Sequence, residues 1–131
     1  MKKILLDTSG YSNLLKGDKI VQNEIEEAST IYLSVVVIGE LLAAFKNGVH
    51  EIKNKQLLEK FSVKPPVSII PVTSETADIY AQVAHRLKKQ GTPIPINDIW
   101  IAAHTIETGS KLITFDKHFS KIPGIRIWED I

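Results

Sequence analysis

The chain has 131 residues, a formal net charge of +1, 44% hydrophobic residues and no cysteine. That length predicts one domain, residues 1–131, burying roughly two-thirds of the surface its unfolded form exposes, and the lack of cysteine excludes disulfides, thiolate chemistry and cysteine-ligated zinc. No apolar run approaches the roughly 20 residues of a membrane span, Asp7 cuts the apolar start too early for a signal peptide, and the near-zero charge leaves any nucleic-acid partner to local lysine clusters; the expected compartment is the cytoplasm.

Lys3 to Asp7 reads as a short buried strand opening into Thr8 and Ser9 as helix N-caps. Tyr11, Leu14 and Leu15 follow at helical spacing until Gly17-Asp18 interrupts, and Ile20, Val21, Ile25 and Ala28 mark a second amphipathic stretch. Ile31 to Ser34 is the next strand. The β-branched run Val35 to Ile38 argues strand and Glu40-Leu41-Leu42-Ala43-Ala44 argues helix; a Ser34 cap favours a helix reaching Lys46, stopped by Asn47-Gly48. Glu51 to Phe61 is a further helix, and Pro65-Pro66 leads into the strand Val67 to Ile70. Thr73 caps a helix in which Ile79, Val83 and Leu87 recur every fourth residue, closed by Gly91. Ile96 to Thr108 is apolar on nearly every side and predicts a central, buried helix. Lys111 to Thr114 and Gly124 to Trp128 are the last strands. Strands alternating with helices over short connections call for a three-layer α/β/α sandwich around a mostly parallel sheet. In such sheets the working site lies beyond the carboxyl ends of the strands.

Asp7, Glu40, Asp98 and Asp116 each stand where an apolar run hands over to a helix or turn. Taken singly, an aspartate after a strand is a cap or turn residue, and one in the first turn of a helix complements its dipole. Glu40 fits that bland reading least, because Ile38, Leu41 and Leu42 surround it. Apolar flanks draw such charges inward, and together the four repel one another unless some are protonated or a cation lies between them. Oxygen donors select a hard ion, so Mg2+ or Mn2+ is the expected cofactor, suited to phosphodiester hydrolysis. The same reasoning predicts raised acid pKa values without metal, and stabilisation of the native state by magnesium.

The segments Leu6-Asp7-Thr8-Ser9, Ile38-Gly39-Glu40-Leu41, Asn97-Asp98-Ile99-Trp100-Ile101-Ala102-Ala103 and Thr114-Phe115-Asp116-Lys117-His118-Phe119 resemble the PIN-domain ribonucleases. Within these the chain is most similar to the VapC-like toxins of type II toxin–antitoxin pairs, across essentially its whole length. The resemblance implies a metal-dependent endoribonuclease cutting tRNA or another structured RNA to leave a 5′-phosphate and a 3′-hydroxyl. Asp7 and Asp98 would be the principal metal ligands, Glu40 and Asp116 would complete the acidic pocket, and Thr8, Ser9, Asn97 and Thr114 would orient carboxylates or water. A homodimer and a cognate antitoxin, whose tail enters the acidic groove, are the implied partners. Gly10 and Tyr11 replace the apolar residues usual after the first aspartate, so the first helix is open to a different start. His118 stands where many relatives carry a further acid, which leaves one metal or two open.

Lone histidines are more often structural or exposed than functional, and that reading covers His104 and His118. Most lysines belong to solvated helix faces; Lys117, beside Asp116, is the one best placed to touch a phosphate. Trp100 and Trp128 read as core. A non-catalytic PIN-like module binding RNA or protein is the competing reading, disfavoured because a degenerate copy would have little reason to keep four buried charges. An aspartate-phosphorylated domain is disfavoured too. Ser9 stands where a haloacid-dehalogenase-like motif needs its second aspartate, and Pro71-Val72-Thr73 follows the strand where a receiver domain needs its phosphoacceptor.

Overall fold

A computed structural model describes residues 2–128. The strands β1 (Lys3–Leu6), β2 (Thr30–Ser34), β3 (Val67–Ile70), β4 (Lys111–Ile113) and β5 (Arg126–Ile127) form one sheet in the order β3-β2-β1-β4-β5. Every pairing is parallel, with Leu5 opposite both Tyr32 and Leu112. The helices are α1 (Thr8–Leu15), α2 (Lys19–Glu27), α3 (Val35–Lys46), α4 (Glu51–Val63), α5 (Ser74–Gln90) and α6 (Ile96–Thr108). A 3-10 turn spans Lys117–Lys121. This is the predicted α/β/α sandwich, and its sheet is wholly parallel.

Successive connections run outward from β1 to β3 and then return to β4 on the other side of β1. The strand order therefore reverses between β1 and β4, and a crevice opens there at the carboxyl edge. Both faces of the sheet are covered, as a parallel sheet requires. Leu5, Leu33 and Leu112 pack with Val37, Leu41, Val83, Leu87, Ile101 and Ala102 from α3, α5 and α6. Ile4, Leu6, Ile31 and Ile113 pack with Val21 of α2 and with Trp128.

Local chemistry sets most element ends. The Ser34 hydroxyl accepts from the Val36 N–H, turning the β-branched run after it into the start of α3. Thr73 and Thr76 form a reciprocal capping box on α5. Gly91 and Gly109 end α5 and α6 in left-handed geometry, at φ 68° and 67°. Three sequence expectations change. Asp7 itself caps α1, with Thr8 and Ser9 already inside the helix. The first turn of α6 opens to solvent, where Ile96 is 65% exposed. Trp100 is not core: it is half-buried and stacks on Tyr80 at a centroid distance of 4.0 Å. Trp128 is buried as read.

His104 holds α6 to the β2 edge. Its Nε2 meets the Pro71 carbonyl at 3.1 Å, which can only accept, so Nε2 carries the hydrogen. Nδ1 then accepts from the Ser34 hydroxyl at 2.8 Å, and the buried network is complete. Burial pushes the imidazole pKa down, against the Pro71 carbonyl and the Glu107 charge that pull it up. A depressed histidine pKa means that the folded state resists protonation. This contribution is complete above the unfolded value of about 6.5 and is lost as pH falls through the folded value. In urea titrations His104→Ala should cost about 2–4 kcal/mol, through a cavity and two orphaned polar groups. His104→Gln should flatten the loss of stability between pH 7 and pH 5.

Candidate active site

Asp7, Glu40, Asp98 and Asp116 line one cavity of about 260 Å³, with Thr8, Ser9 and Ile101. Different elements deliver them to the carboxyl edge. Asp7 follows β1, Glu40 lies on α3 after β2, Asp98 is in the first turn of α6, and Asp116 follows β4. Asp7 and Asp116 flank the point where the strand order reverses.

Asp7 is the most constrained of the four. Its Oδ1 accepts from the Gly10 N–H at 2.7 Å and the Ser9 hydroxyl at 2.8 Å. Its Oδ2 accepts a short hydrogen bond from the Thr114 hydroxyl. One carboxylate thus caps α1 and ties it to the end of β4. Thr114 is held in turn by the Trp128 indole, which donates to its carbonyl at 2.6 Å. Ser9 also accepts from the Phe115 N–H at 2.8 Å. Gly10 is what lets α1 approach this closely, since a Cβ there would lie 2.4 Å from the Ile113 carbonyl oxygen. The departure at Gly10 and Tyr11 leaves the start of the helix intact, and both residues are buried.

Glu40 is oriented by the Thr8 hydroxyl on Oε1 at 2.8 Å and by the Asn97 amide on Oε2 at 3.3 Å. Asp116 caps the 3-10 turn by accepting from the His118 N–H at 2.9 Å. Thr8, Ser9, Asn97 and Thr114 therefore each hold one of the acids. Lys117 is exposed and makes no hydrogen bond to the acids among the described contacts. Sequence reasoning missed the Trp128 and Phe115 N–H groups and the tight packing of Gly10. All three act through backbone geometry that a motif does not display.

The electrostatics are those of a site short of positive charge. Burial raises the Asp7 pKa, opposed by the hydrogen bonds from Thr114, Gly10 and Ser9 and helped by the charge of Asp116. The Asp98 pKa is pushed up to about 6. Burial is the main cause, followed by the charges of Asp116, Glu40 and Asp7, with a partial offset from His118. Among the described residues, the donor atoms of Asp98, Asp116 and His118 all lie within 4.8 Å of one another, close enough to hold one ion, while Asp7 and Glu40, also expected as ligands, line the same cavity outside that group. His118 Nδ1 is 3.2 Å from Asp116 and 3.9 Å from Asp98. Carboxylate oxygens and an imidazole nitrogen fit a small divalent cation, which would remove the repulsion that raises Asp98.

Two lobes adjoin this cavity. One is lined by Pro95, Ile96, Asn97 and His118 together with Glu40, Asp98 and Asp116. The other, of about 530 Å³, is apolar, with Val35, Val36, Ala43, Val72 and Trp100 beside Glu40 and Asn97. Among the described residues no helix is long and apolar enough to cross a membrane.

The PIN domain family model matches residues 4–125. A ribonuclease VapC1 of Haemophilus influenzae strain R2866 is 29% identical, covering 96% of each chain. A tRNA(fMet)-specific endonuclease VapC of Salmonella typhimurium is 25% identical over 97% of each. The chain also superposes, with a TM-score of 0.86 and 25% identity, on a structure of VapBC2 from Rickettsia felis bound to a DNA fragment of its promoter. That match covers 97% of this chain and 99% of the other.

A carboxyl pKa raised to about 6 means that the metal-free folded protein holds this proton more tightly than the unfolded chain does. Stability is therefore gained as pH falls from about 6 toward 4 and given up above that range. Asp98→Asn should stabilise the metal-free protein at pH 8 by roughly 1–2 kcal/mol, discounted for solvent access to the cleft. Saturating Mg2+ or Mn2+ should raise the thermal midpoint of the unmutated protein by several degrees and that of Asp98→Asn far less. Differential scanning calorimetry with and without metal checks both.

Proposed function

The chain belongs to the PIN domain family, and from that premise we propose that it is a divalent-metal-dependent endoribonuclease, the toxin of a toxin–antitoxin pair. One observation carries the reading: four acids share a single cavity at the switch point of the sheet, where burial first and the neighbouring charges second push Asp98 up to about 6. A non-catalytic module would have no reason to sustain that repulsion.

In this reading Asp98 and Asp116, with Asp7 in the same cavity, would hold Mg2+ or Mn2+. Such an ion would supply the Lewis acidity that phosphodiester hydrolysis needs, activating water and offsetting charge on the phosphate. The residues do the rest by orientation. Asp7, fixed by three donors, keeps its lone pairs aimed without reorganisation. Glu40, fixed by Thr8 and Asn97, orients the attacking water and takes its proton. The water oxygen bonds to phosphorus as the bond to the 3′ oxygen breaks, and that oxygen takes a proton from solvent, giving a 5′-phosphate and a 3′-hydroxyl. Lys117, exposed beside Asp116, meets a neighbouring phosphate of the RNA.

The relatives support the substrate class, since their names are those of ribonucleases, one of them specific for a tRNA. A cognate antitoxin is the proposed partner, its tail entering the acidic groove where a cationic side chain neutralises the same acids. A second copy of the chain is proposed to cover the apolar lobe, where Val35 and Val72 are exposed beside Trp100. Residues 1–131 are proposed to act as one domain, in the cytoplasm.

Purified protein incubated with total tRNA and Mg2+ should yield discrete fragments bearing 5′-phosphates. Asp7→Asn should reduce cleavage by at least about a hundredfold, and EDTA should abolish it. Cleavage that survives both changes would overturn the assignment.

A further inference from the structure

The donors facing the cleft are not all oxygen. Asp116 caps the 3-10 turn through its Oδ1, and the N–H it accepts is that of His118 itself. This contact fixes the backbone of His118 next to the acid. The ring Nδ1 lies 3.2 Å from Asp116 Oδ1 and 3.9 Å from Asp98 Oδ2. It lines the same lobe as Asp98, Asp116 and Glu40, with its side chain 52% exposed and so free to be approached.

Those separations are informative. Around a small divalent cation with donors at about 2.1–2.2 Å, neighbouring donors lie roughly 3 Å apart and opposite ones roughly 4.2 Å apart. Both spacings to Nδ1 fall within that range, and the donor atoms of all three side chains lie within 4.8 Å of one another. A surface ion pair needs only one such contact, whereas this nitrogen faces two carboxylates from separate elements, α6 and the segment after β4.

We propose that His118 Nδ1 is a metal donor beside Asp98 and Asp116, and that it makes this centre favour Mn2+ over Mg2+. The proposal rests on the acids being a divalent-metal site and adds a nitrogen to the donor set. Mg2+ prefers oxygen and keeps most of its waters, so an imidazole adds little to its binding. Mn2+ opens the transition-metal affinity order and accepts an imidazole nitrogen more readily than Mg2+ does, though less readily than Fe2+, Ni2+ or Zn2+.

Pulsed electron paramagnetic resonance on the full chain loaded with Mn2+ reads the nitrogen directly. The unmutated protein should show 14N coupling of a coordinated imidazole, and His118→Gln should lose it. Mn2+ affinity, titrated by calorimetry, should fall about tenfold in His118→Gln while Mg2+ affinity changes less than about threefold. His118→Asp, which places an oxygen donor there, should bind Mg2+ at least as tightly as the unmutated protein and show no nitrogen signal. Bound Mn2+ without nitrogen coupling, coupling that persists in His118→Gln, or equal losses for the two metals would each overturn the proposal while leaving the acidic centre standing. An unmutated protein that binds no Mn2+ would remove both.

Discussion

The carboxylate of Asp7 is the joint on which the rest depends. It ends β1, caps α1 and accepts from Thr114 at the end of β4. A cap alone contributes about 1 kcal/mol, and an exposed serine would do that work as well. What an aspartate adds is a negative charge, 4% exposed, at the place where the strand order reverses. The fold and the site share this side chain, so the position of the charge is fixed by the same bonds that hold α1 against the sheet.

A second constraint follows from bringing three more acids to that point. Burial and mutual repulsion act in the same direction on Asp98, and the His118 side chain beside it offsets part of that rise. Elsewhere buried polar groups find partners in networks such as Ser34–His104–Pro71, while the buried Tyr11 hydroxyl has none among the described contacts. The site is thus a local conflict inside a locally consistent structure, the pattern expected where function sets the sequence. Thr8, Ser9, Asn97 and Thr114 do not relieve the repulsion. They aim it, holding the carboxylates where a cation would find them preorganised.

Much of this was legible in the chain, for physical reasons. Ser34 and Thr73 are residue types that favour helix N-caps, and Gly91 and Gly109 suit left-handed helix ends, so those boundaries could be read directly. The alternation of strands and helices determined the layers, and the carboxyl-edge rule put Asp7 and Asp116 together. Less could be read where tertiary geometry decides. Asp7 rather than Thr8 or Ser9 caps α1, because Gly10 allows an approach to Ile113 that no periodicity reveals. Trp100 looked like core because its neighbours are apolar, yet it faces the cleft and stacks on Tyr80. The nitrogen of His118 could not be assigned from an all-oxygen argument, since its place depends on a cap two residues long.

The most direct test of the account is anomalous scattering from crystals of the protein grown with Mn2+. A difference peak should lie in the cavity bounded by Asp7, Asp98 and Asp116, within coordination distance of at least two of their carboxylates. An empty cavity at saturating Mn2+, or peaks confined to other parts of the surface, would contradict it.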